Sequence, residues 1–380
     1  MIKYIGSKRL LVEHICGLVA GLPEVHSVLD LFSGTARVGH ALKQRGYAVT
    51  ANDHTWYAYR LAQCYVQADA MRWRAPAQAL LAELALVPPA PGYFTRTFCQ
   101  DARYFQPKNG ARIDAIRDAI AARALDSELA RSLDPELEAI ALVALMEAAD
   151  RVDSTVGVQM AYLKQWAARA SNELELRVPE LVAGVGRATR IDALQCAELG
   201  EHDVAYLDPP YNQHKYLNNY HVWETLMRWD QPEVYGVACK RIDCREYGSP
   251  FNSKRRIAEA LSAVVAAVRA RYVIVSFNDE GYLDERALRG ILAQRGSVQV
   301  ISVDYPRYVG AKIGIYNPSG AKVGKVGHLR NREQLFVVDC ERRGRKLDLS
   351  RVPAAKVVER RSSSRPAIAE SGDTALAIVE

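Results

Sequence analysis

The sequence predicts an α/β fold in which a long helical insertion interrupts the sheet. A compact β-α-β pattern stands near the N-terminus, where apolar strands at 27–31 and 47–51 flank a helix at 36–45 that ends at Gly46. Strands of the same kind return only after residue 200. The chain has 380 residues, of which 49% are hydrophobic and 25% charged, so it can bury a sizeable core and is not predominantly disordered.

The later elements divide the chain into three regions. Between about residues 60 and 179 the sequence is rich in Ala and Leu, and Asp134 and Pro135 open a helix over 136–149. The periodicity then predicts a strand at 204–207, helices at 220–229 and 257–270, and strands at 272–277, 298–303 and 334–338. We therefore expect a core formed by 1–60 and 186–340, a helical insertion at 61–185, and a flexible basic tail at 341–380.

Several classes of protein are excluded by composition. Arg269 and Arg271 interrupt the longest apolar run, at 258–277, so no segment is expected to cross a bilayer. The first eight residues lack the apolar stretch of a signal peptide, and we expect a cytoplasmic protein without membrane contact. The seven cysteines are odd in number, scattered and free of C-x-x-C pairs, which argues against a disulfide framework and against a metal site.

Basic residues cluster although the net charge is only +6. Six Lys and Arg residues and no acidic residue fall within 305–332, and six fall within 236–256 beside two acidic residues. Such clusters favour a polyanionic partner, although a solvated loop is the alternative for either stretch taken alone. A third basic stretch, 341–365, lacks apolar periodicity and is typical of a flexible tail.

The segment 28–39 places a strand, a tight turn of small residues and a helix start in that order. Such a turn lets a ligand lie against unpaired amides at the helix N-terminus. Asp53 follows the second strand, 23 residues after Asp30, at a position from which a carboxylate can accept both hydroxyls of a ribose. Asp30 would repel a pyrophosphate but attract an ammonium group. Because only Gly34 lies inside the turn, a plain β-α turn remains an alternative to a nucleoside site.

Residues 208–211, Asp-Pro-Pro-Tyr, follow the predicted strand at 204–207. The two prolines fix φ and remove two backbone donors, so this loop offers mainly acceptors. An exocyclic amine of a base has two N–H donors, and Asp208 with the Pro209 carbonyl supplies two acceptors close together. Tyr211 adds an aromatic face on which a base can stack. A rigid proline turn is the alternative interpretation.

Three motifs together resemble the D12 class of S-adenosylmethionine-dependent DNA adenine-N6 methyltransferases, which includes Dam-like and FokI-type modification enzymes. They are the Asp-Pro-Pro-Tyr loop, Phe-Ser-Gly-Thr at 32–35, and Lys-Tyr-Ile-Gly-Ser-Lys at 3–8. The resemblance covers about residues 1–340. It implies a Rossmann-like class I methyltransferase sheet, with the insertion acting as a mostly helical target-recognition domain.

The resemblance also implies S-adenosylmethionine as cofactor and assigns its ligands. Those expected at the methionine part are Tyr4, Gly6, Lys8, Asp30, Phe32 and Gly34. Asp53 would contact the ribose, and Asp192 the adenine of the cofactor. The catalytic residues would be Asp208, Pro209, Pro210 and Tyr211, which hold an adenine flipped out of duplex DNA.

Double-stranded DNA is the partner implied, in a restriction–modification or epigenetic marking role. A hairpin around 314–321 would present Lys312, Lys322 and Lys325 to phosphates. The stretch 156–166 resembles a family segment near the DNA, where Gln159 or Lys164 would read bases, but an ordinary packed helix is an equal expectation. Likewise, three polar residues after the catalytic loop would either touch the flipped base or cap the next helix: Asn218, Asn219 and His221. A cognate restriction endonuclease is a candidate partner, and we expect a monomer or weak dimer.

Four other functions share part of this pattern. Cytosine-N4 methylation needs the same two acceptors, and RNA adenine methyltransferases use similar loops. A non-catalytic nucleic-acid-binding protein on the same fold would not need an intact loop at 208–211. A nicotinamide oxidoreductase shares the glycine turn but leaves that loop unexplained.

Overall fold

The computed structural model describes residues 1–125, 133–160, 162–163, 165–306, 315–316, 322–324, 330–341 and 347–353. It contains eleven strands within those ranges: β1 (Ser27–Asp30), β2 (Ala48–Asn52), β3 (Gly186–Thr189), β4 (His202–Leu207), β5 (Val234–Tyr235), β6 (Lys240–Arg241), β7 (Ala270–Asn278), β8 (Ser297–Pro306), β9 (Ile315–Tyr316), β10 (Lys322–Gly324) and β11 (Arg330–Asp339).

Seven strands form one sheet in the order β3-β2-β1-β4-β7-β11-β8. The pairs β2–β3, β1–β2, β1–β4 and β4–β7 are parallel, whereas β11 is antiparallel to both β7 and β8. The strands β2 and β3 lie on one side of β1, whereas β4 lies on its other side, so the strand order reverses at β1. In open α/β sheets, ligands bind beyond the carboxyl ends of the strands at this point of reversal. The predicted α/β class with a Rossmann-like sheet is confirmed.

Twelve α-helices accompany the sheet within the described ranges: α1 (Val12–Ala20), α2 (Arg37–Gln44), α3 (Trp56–Ala62), α4 (Ala70–Ala85), α5 (Tyr93–Thr95), α6 (Pro107–Leu125), α7 (Pro135–Arg151), α8 (Ala193–Glu198), α9 (Tyr216–Asn219), α10 (His221–Arg228), α11 (Ile257–Ala267) and α12 (Glu285–Leu292). Wider π-helical turns continue α3 over Gln63–Gln67 and α5 over Arg96–Asp101.

Side chains along each strand point alternately to the two faces of the sheet, and each face packs against its own apolar layer. On β7, Val273 and Val275 pack with α8, α11 and α12 on one face, whereas Tyr272 and Ile274 belong to the larger cluster on the other face. That larger cluster includes α1, α2 and the helices of the insertion. Leu145 of α7 is one of its fully buried members. The insertion helices therefore share a continuous core with the sheet.

The helical character predicted for 61–185 is present, and the described residues in this range form no strand. Asp134 caps α7 as the sequence predicts, because its side chain accepts a hydrogen bond from Glu136 N and Pro135 occupies the first turn. The described part of 156–166 is irregular, so the alternative of an ordinary packed helix there is wrong. The helix predicted at 257–270 ends at Ala267, because β7 begins at Ala270.

Packing extends past residue 340, where we expect the flexible tail to begin. Leu347, Leu349 and Val352 lie against the larger apolar cluster. A Cβ atom built on Gly17 of α1 would lie 2.3 Å from the Arg351 carbonyl oxygen, so the glycine permits this close approach. Residues 354–380 lie outside the described residues.

The described helices include none of the length and apolarity that a bilayer span requires. All seven cysteines carry free thiols, and six of them are buried. No cluster of three or more His, Cys, Asp or Glu side chains suited to a metal ion occurs within the described ranges.

Candidate active site

A cavity of about 430 Å³ opens beyond the carboxyl ends of β1 and β4. Most of the predicted site residues line it: Tyr4, Gly6, Lys8, Asp30, Phe32, Gly34, Asp53, Asp192, Asp208 and Pro210. Pro209 and Tyr211 belong to the same loop but are not among the described residues that line the cavity. The chain therefore brings together segments separated by up to about 200 residues.

The turn after β1 forms the part of the cavity nearest that strand. Ser33 N donates to Asn52 O at 2.9 Å, and Gly34 N donates to Asp53 Oδ2 at 3.0 Å. Gly34 has φ of +51°, and Ala36, which precedes α2, has φ of +57°. Left-handed backbone suits glycine and strains alanine, so this turn is held by its surroundings.

Asp30 ends β1 and is almost completely buried, with 1% of its surface exposed. Its Oδ2 accepts a hydrogen bond from Gly39 N at 3.0 Å, whereas its buried Oδ1 has no partner. Burial raises the pKa of Asp30 to about 7, against the hydrogen bond from Gly39, which lowers it. A cationic ligand group at Oδ1 would satisfy this carboxylate.

Asp53 and Asp192 also lie at the cavity. Asp53 Oδ1 accepts hydrogen bonds from Thr55 N and Thr55 Oγ1, at 3.0 and 2.9 Å. Burial raises the pKa of Asp53, and the hydrogen bonds from Thr55 and Gly34 oppose that rise. Asp192 caps α8 by accepting from Leu194 N at 2.9 Å.

Tyrosines surround the N-terminal segment. The Tyr4 ring stacks on Tyr216 at 5.3 Å between centroids and on Tyr220 at 4.4 Å. Gly6 has φ of +75°, and a Cβ atom built on it would lie 2.8 Å from Tyr216 Oη. Tyr216 lines the cavity, yet we did not predict it, because its position depends on α9 folding back toward the N-terminus.

The Asp208 carboxylate has a cationic partner that the sequence does not reveal. Lys8 Nζ lies 2.9 Å from Asp208 Oδ1 and 2.7 Å from Glu333 Oε1. Burial raises the pKa of Asp208 to about 6, Lys8 lowers it, and Glu333 raises it. Lys8 is thus engaged by two carboxylates, so its predicted contact with the methionine part of a cofactor remains a prediction.

Tyr211 lies beside this group of charges. Its ring contacts Phe277 at 5.3 Å between centroids, and Lys8 Nζ lies 5.8 Å from its centroid. At the cavity, His54 and Tyr247 stack at 6.3 Å. Neither was predicted, since His54 only follows Asp53 in sequence and Tyr247 belongs to a loop without a recognised motif.

Arg241, in the basic stretch at 236–256, cannot contact a polyanion. Its side chain is 1% exposed, and its guanidinium binds Asp230 Oδ1 and Oδ2 at 2.7 and 2.8 Å. It also binds Asp243 Oδ2 at 2.9 Å. The expectation of a polyanion site is therefore wrong for this residue, because nearby carboxylates already neutralise its charge.

Gln159 is also buried, and its role is structural. Its backbone oxygen accepts from Tyr104 Oη, and its side-chain oxygen accepts from Val222 N at 3.0 Å. His221 Nε2 lies 2.8 Å from Gln159 O, and burial lowers the pKa of His221 to about 3. Base reading by Gln159 is thus wrong. Asn219 O accepts from Gln159 N, so Asn219 and His221 join the packing of this segment.

The structure does not place the side chains of the four lysines predicted to bind DNA. Lys164, Lys312 and Lys325 lie outside the described residues, and Lys322 is described only as part of β10. The predicted hairpin is present to the extent that β9 and β10 pair antiparallel, with Lys322 opposite Tyr316. Its tip, 317–321, is outside the described ranges.

The sheet order and a ligand cavity at the switch point, with an Asp-Pro-Pro-Tyr loop on its rim, define a Rossmann-like methyltransferase fold. Residues 4–290 match the family model of the D12 class N6 adenine-specific DNA methyltransferases. Because the match spans well over half of the chain, the protein belongs to that family.

Curated relatives agree with this membership. Type II methyltransferase M.NlaIII from Neisseria lactamica is 30% identical over 316 residues, which are 80% of this chain and 92% of that protein. Type II methyltransferase M.FokI from Planomicrobium okeanokoites is 28% identical over 330 residues, which are 80% of this chain and 49% of that protein. The chain thus spans about half the length of M.FokI.

Proposed function

We propose that this chain transfers a methyl group from S-adenosylmethionine to the N6 amine of adenine at a specific site in double-stranded DNA. The position of Asp208 carries this proposal. Its carboxylate follows β4 and lines a cavity that also contains the glycine turn after β1. The same cavity therefore contains a hydrogen-bond acceptor for an amine and a turn suited to a nucleoside.

The residues present fit the cofactor. The cavity of about 430 Å³ falls within the range of small-molecule sites. The unpartnered Oδ1 of Asp30 would hold the ammonium group, and the buried, unpartnered Ser33 Oγ offers a further polar contact. Asp53 would hold the ribose and Asp192 the adenine. When bound, S-adenosylmethionine supplies an electrophilic methyl group on a sulfonium sulfur.

Asp208 and the Pro209 carbonyl would accept hydrogen bonds from the two N–H groups of the target amine. Oδ1 of Asp208 already contacts Lys8, which leaves the other carboxylate oxygen for the substrate. Two acceptors draw the amine nitrogen toward tetrahedral geometry and stabilise positive charge as it develops there. Pro210 keeps the loop rigid, and Tyr211, supported by Phe277, would stack against the extruded base.

DNA contact is assigned to the insertion at 61–185, as target-recognition region, and to Lys164, Lys312, Lys322 and Lys325. A basic hairpin at β9 and β10 suits phosphate contacts, which orient a protein on DNA without reading its sequence. We also propose that the protein has a cognate restriction endonuclease as partner and that it is a monomer or a weak dimer.

The identity of the methylated nucleoside tests this function. Purified protein is incubated with isotopically labelled S-adenosylmethionine and either duplex DNA of varied sequence or RNA, and the digested nucleosides are analysed by mass spectrometry. We expect label in N6-methyldeoxyadenosine from duplex DNA. Label in N4-methyldeoxycytidine or in RNA would replace the proposal with one of its rivals, and absence of label from all substrates would refute enzymatic transfer.

A further inference from the structure

Glu333 forms a buried charge cluster with Lys8 and Asp208. Lys8 comes from the short helical turn Lys8–Leu10, Asp208 follows β4, and Glu333 lies on β11. Lys8 Nζ bridges Asp208 Oδ1 at 2.9 Å and Glu333 Oε1 at 2.7 Å. The Glu333 side chain is 0% exposed and that of Lys8 is 7% exposed. Three distant segments thus meet at one ammonium group.

The neighbouring strand fixes the Glu333 carboxylate. Ser276 Oγ donates to Glu333 Oε1 at 2.6 Å, and Asn278 Nδ2 donates to Oε2 at 3.4 Å. Both donors come from β7, where Asn278 is the register partner of Glu333. Two donors from the neighbouring strand therefore fix the orientation of the carboxylate that contacts Lys8. Glu333 also lies beyond residues 4–290, the stretch that matches the family model.

Two carboxylates that share one ammonium give a cluster with a net negative charge. If Lys8 were paired with Asp208 alone, its full charge would act on the carboxylate that must accept the substrate amine. An acceptor neutralised in this way forms weaker hydrogen bonds with an amine that is gaining positive charge. The negative charge of Glu333 offsets part of the positive charge of Lys8, because its Oε1 lies 2.7 Å from Nζ, compared with 2.9 Å for Asp208 Oδ1.

We propose that Glu333 is a positioning residue for methyl transfer: it anchors Lys8 and offsets its positive charge, so that Asp208 remains an oriented and strong hydrogen-bond acceptor for the target amine. This inference rests on the proposed role of Asp208. Glu333 acts on Asp208 by anchoring Lys8 and through its own negative charge.

The titratable and charged groups that face Asp208 come from several elements. They are Lys8, Glu333, Tyr206, Tyr211, Tyr216 and Asp30. Glu333 raises the pKa of Asp208 by charge repulsion, and Lys8 lowers it. Removing the charge of Glu333 while Lys8 stays protonated must therefore lower the pKa of Asp208.

Glu333→Gln tests the inference, because glutamine keeps the shape and can still accept from Ser276 while losing the charge. The ¹³C resonance of the Asp208 carboxyl, identified by its loss in Asp208→Asn, is titrated in the cofactor-free full chain. We expect its pKa to fall by about one unit in Glu333→Gln. The acid limb of kcat against pH should move down by a similar amount, because transfer requires ionised Asp208. The plateau of kcat should fall about tenfold or more, since a misplaced acceptor is costly.

Glu259→Gln, an exposed substitution on α11, is the matched control and should change neither property. An unchanged Asp208 pKa in Glu333→Gln, or an unchanged kcat–pH profile, overturns the inference. If Glu333→Gln does not fold, Ser276→Ala replaces it: loss of the donor to Oε1 should lower kcat several-fold without moving the Asp208 pKa, and wild-type kcat would overturn the inference. A wild-type chain that methylates nothing would refute the proposed function, while the titration would still decide whether Glu333 acts on Asp208.

Discussion

Asp30→Asn should stabilise the cofactor-free protein and weaken cofactor binding at the same time. Burial raises the pKa of the wild-type carboxyl to about 7, compared with an unfolded value of about 3.9. A group whose pKa is raised on folding binds its proton more tightly in the folded state. The contribution of the Asp30 proton to the free energy of unfolding is therefore lost as the pH rises from about 4 through about 7.

A pKa rise of about three units corresponds to at most about 4 kcal/mol at 1.36 kcal/mol per unit. Asparagine removes this ionisation, and its side-chain oxygen can still accept from Gly39 N, as Asp30 Oδ2 does. At pH 8 the variant should therefore unfold with a free energy higher by up to about 4 kcal/mol, and near pH 4 the difference should vanish. Urea denaturation at both pH values measures this.

Cofactor binding should change in the opposite direction. A hydrogen bond to a charged group contributes about 1.5–3 kcal/mol, so losing the carboxylate should raise the Kd for S-adenosylmethionine about 10- to 100-fold at pH 8. The Kd of the wild-type protein should also rise as the pH falls below about 7, because Asp30 becomes protonated there. Isothermal titration calorimetry from pH 5.5 to 8.5 measures both effects.

The exposed N-cap Asp284 provides the control for Asp30, because asparagine caps a helix as well as aspartate does. Asp284→Asn should leave stability and cofactor affinity unchanged. If Asp30→Asn binds S-adenosylmethionine as tightly as wild type at pH 8, Asp30 does not hold the ammonium group. If the variant is less stable than wild type at pH 8, the burial argument itself is wrong.

Two further substitutions test the turn and the basic stretch. Gly34→Val places a β-branched side chain at φ of +51°, at a cost of about 1–2 kcal/mol, and should lower the melting temperature and cofactor affinity together; unchanged calorimetric titrations would contradict the turn's role. Arg241→Met leaves the half-exposed carboxylates of Asp230 and Asp243 with Arg228 as their remaining cationic partner, and should lower the free energy of unfolding by about 1.5–3 kcal/mol in urea while leaving DNA affinity in gel-shift assays intact. Weaker DNA binding by folded Arg241→Met would restore the polyanion interpretation of that residue.

The sequence predicts the sheet and its main motifs because their signals are local. The strand, turn and helix around Asp30 follow from periodicity and small residues within twelve positions. Asp134 and Pro135 mark the start of α7 by chemistry that acts within one helical turn. Local signals of this kind also place Asp208 at the end of β4.

Long-range partners could not be predicted in the same way. Glu333 is 325 residues from Lys8 and reads as an ordinary polar position in a strand. Arg241 belongs to a run of basic residues in sequence, and only the fold shows that Asp230 and Asp243 enclose it. The sequence allows Gln159 to be interpreted as a base-reading residue. Its burial against α10 results from tertiary packing, which no local pattern shows.

The most direct test of the account is Asp208→Ala, assayed for cofactor binding and for methyl transfer side by side. The cavity retains Asp30, Asp53 and the glycine turn in this variant, so calorimetry should give a Kd for S-adenosylmethionine close to that of wild type. Single-turnover transfer to duplex DNA should be abolished, because one of the two acceptors for the target amine is gone. Near-wild-type transfer by Asp208→Ala would contradict the central claim that this carboxylate accepts a hydrogen bond from the adenine amine.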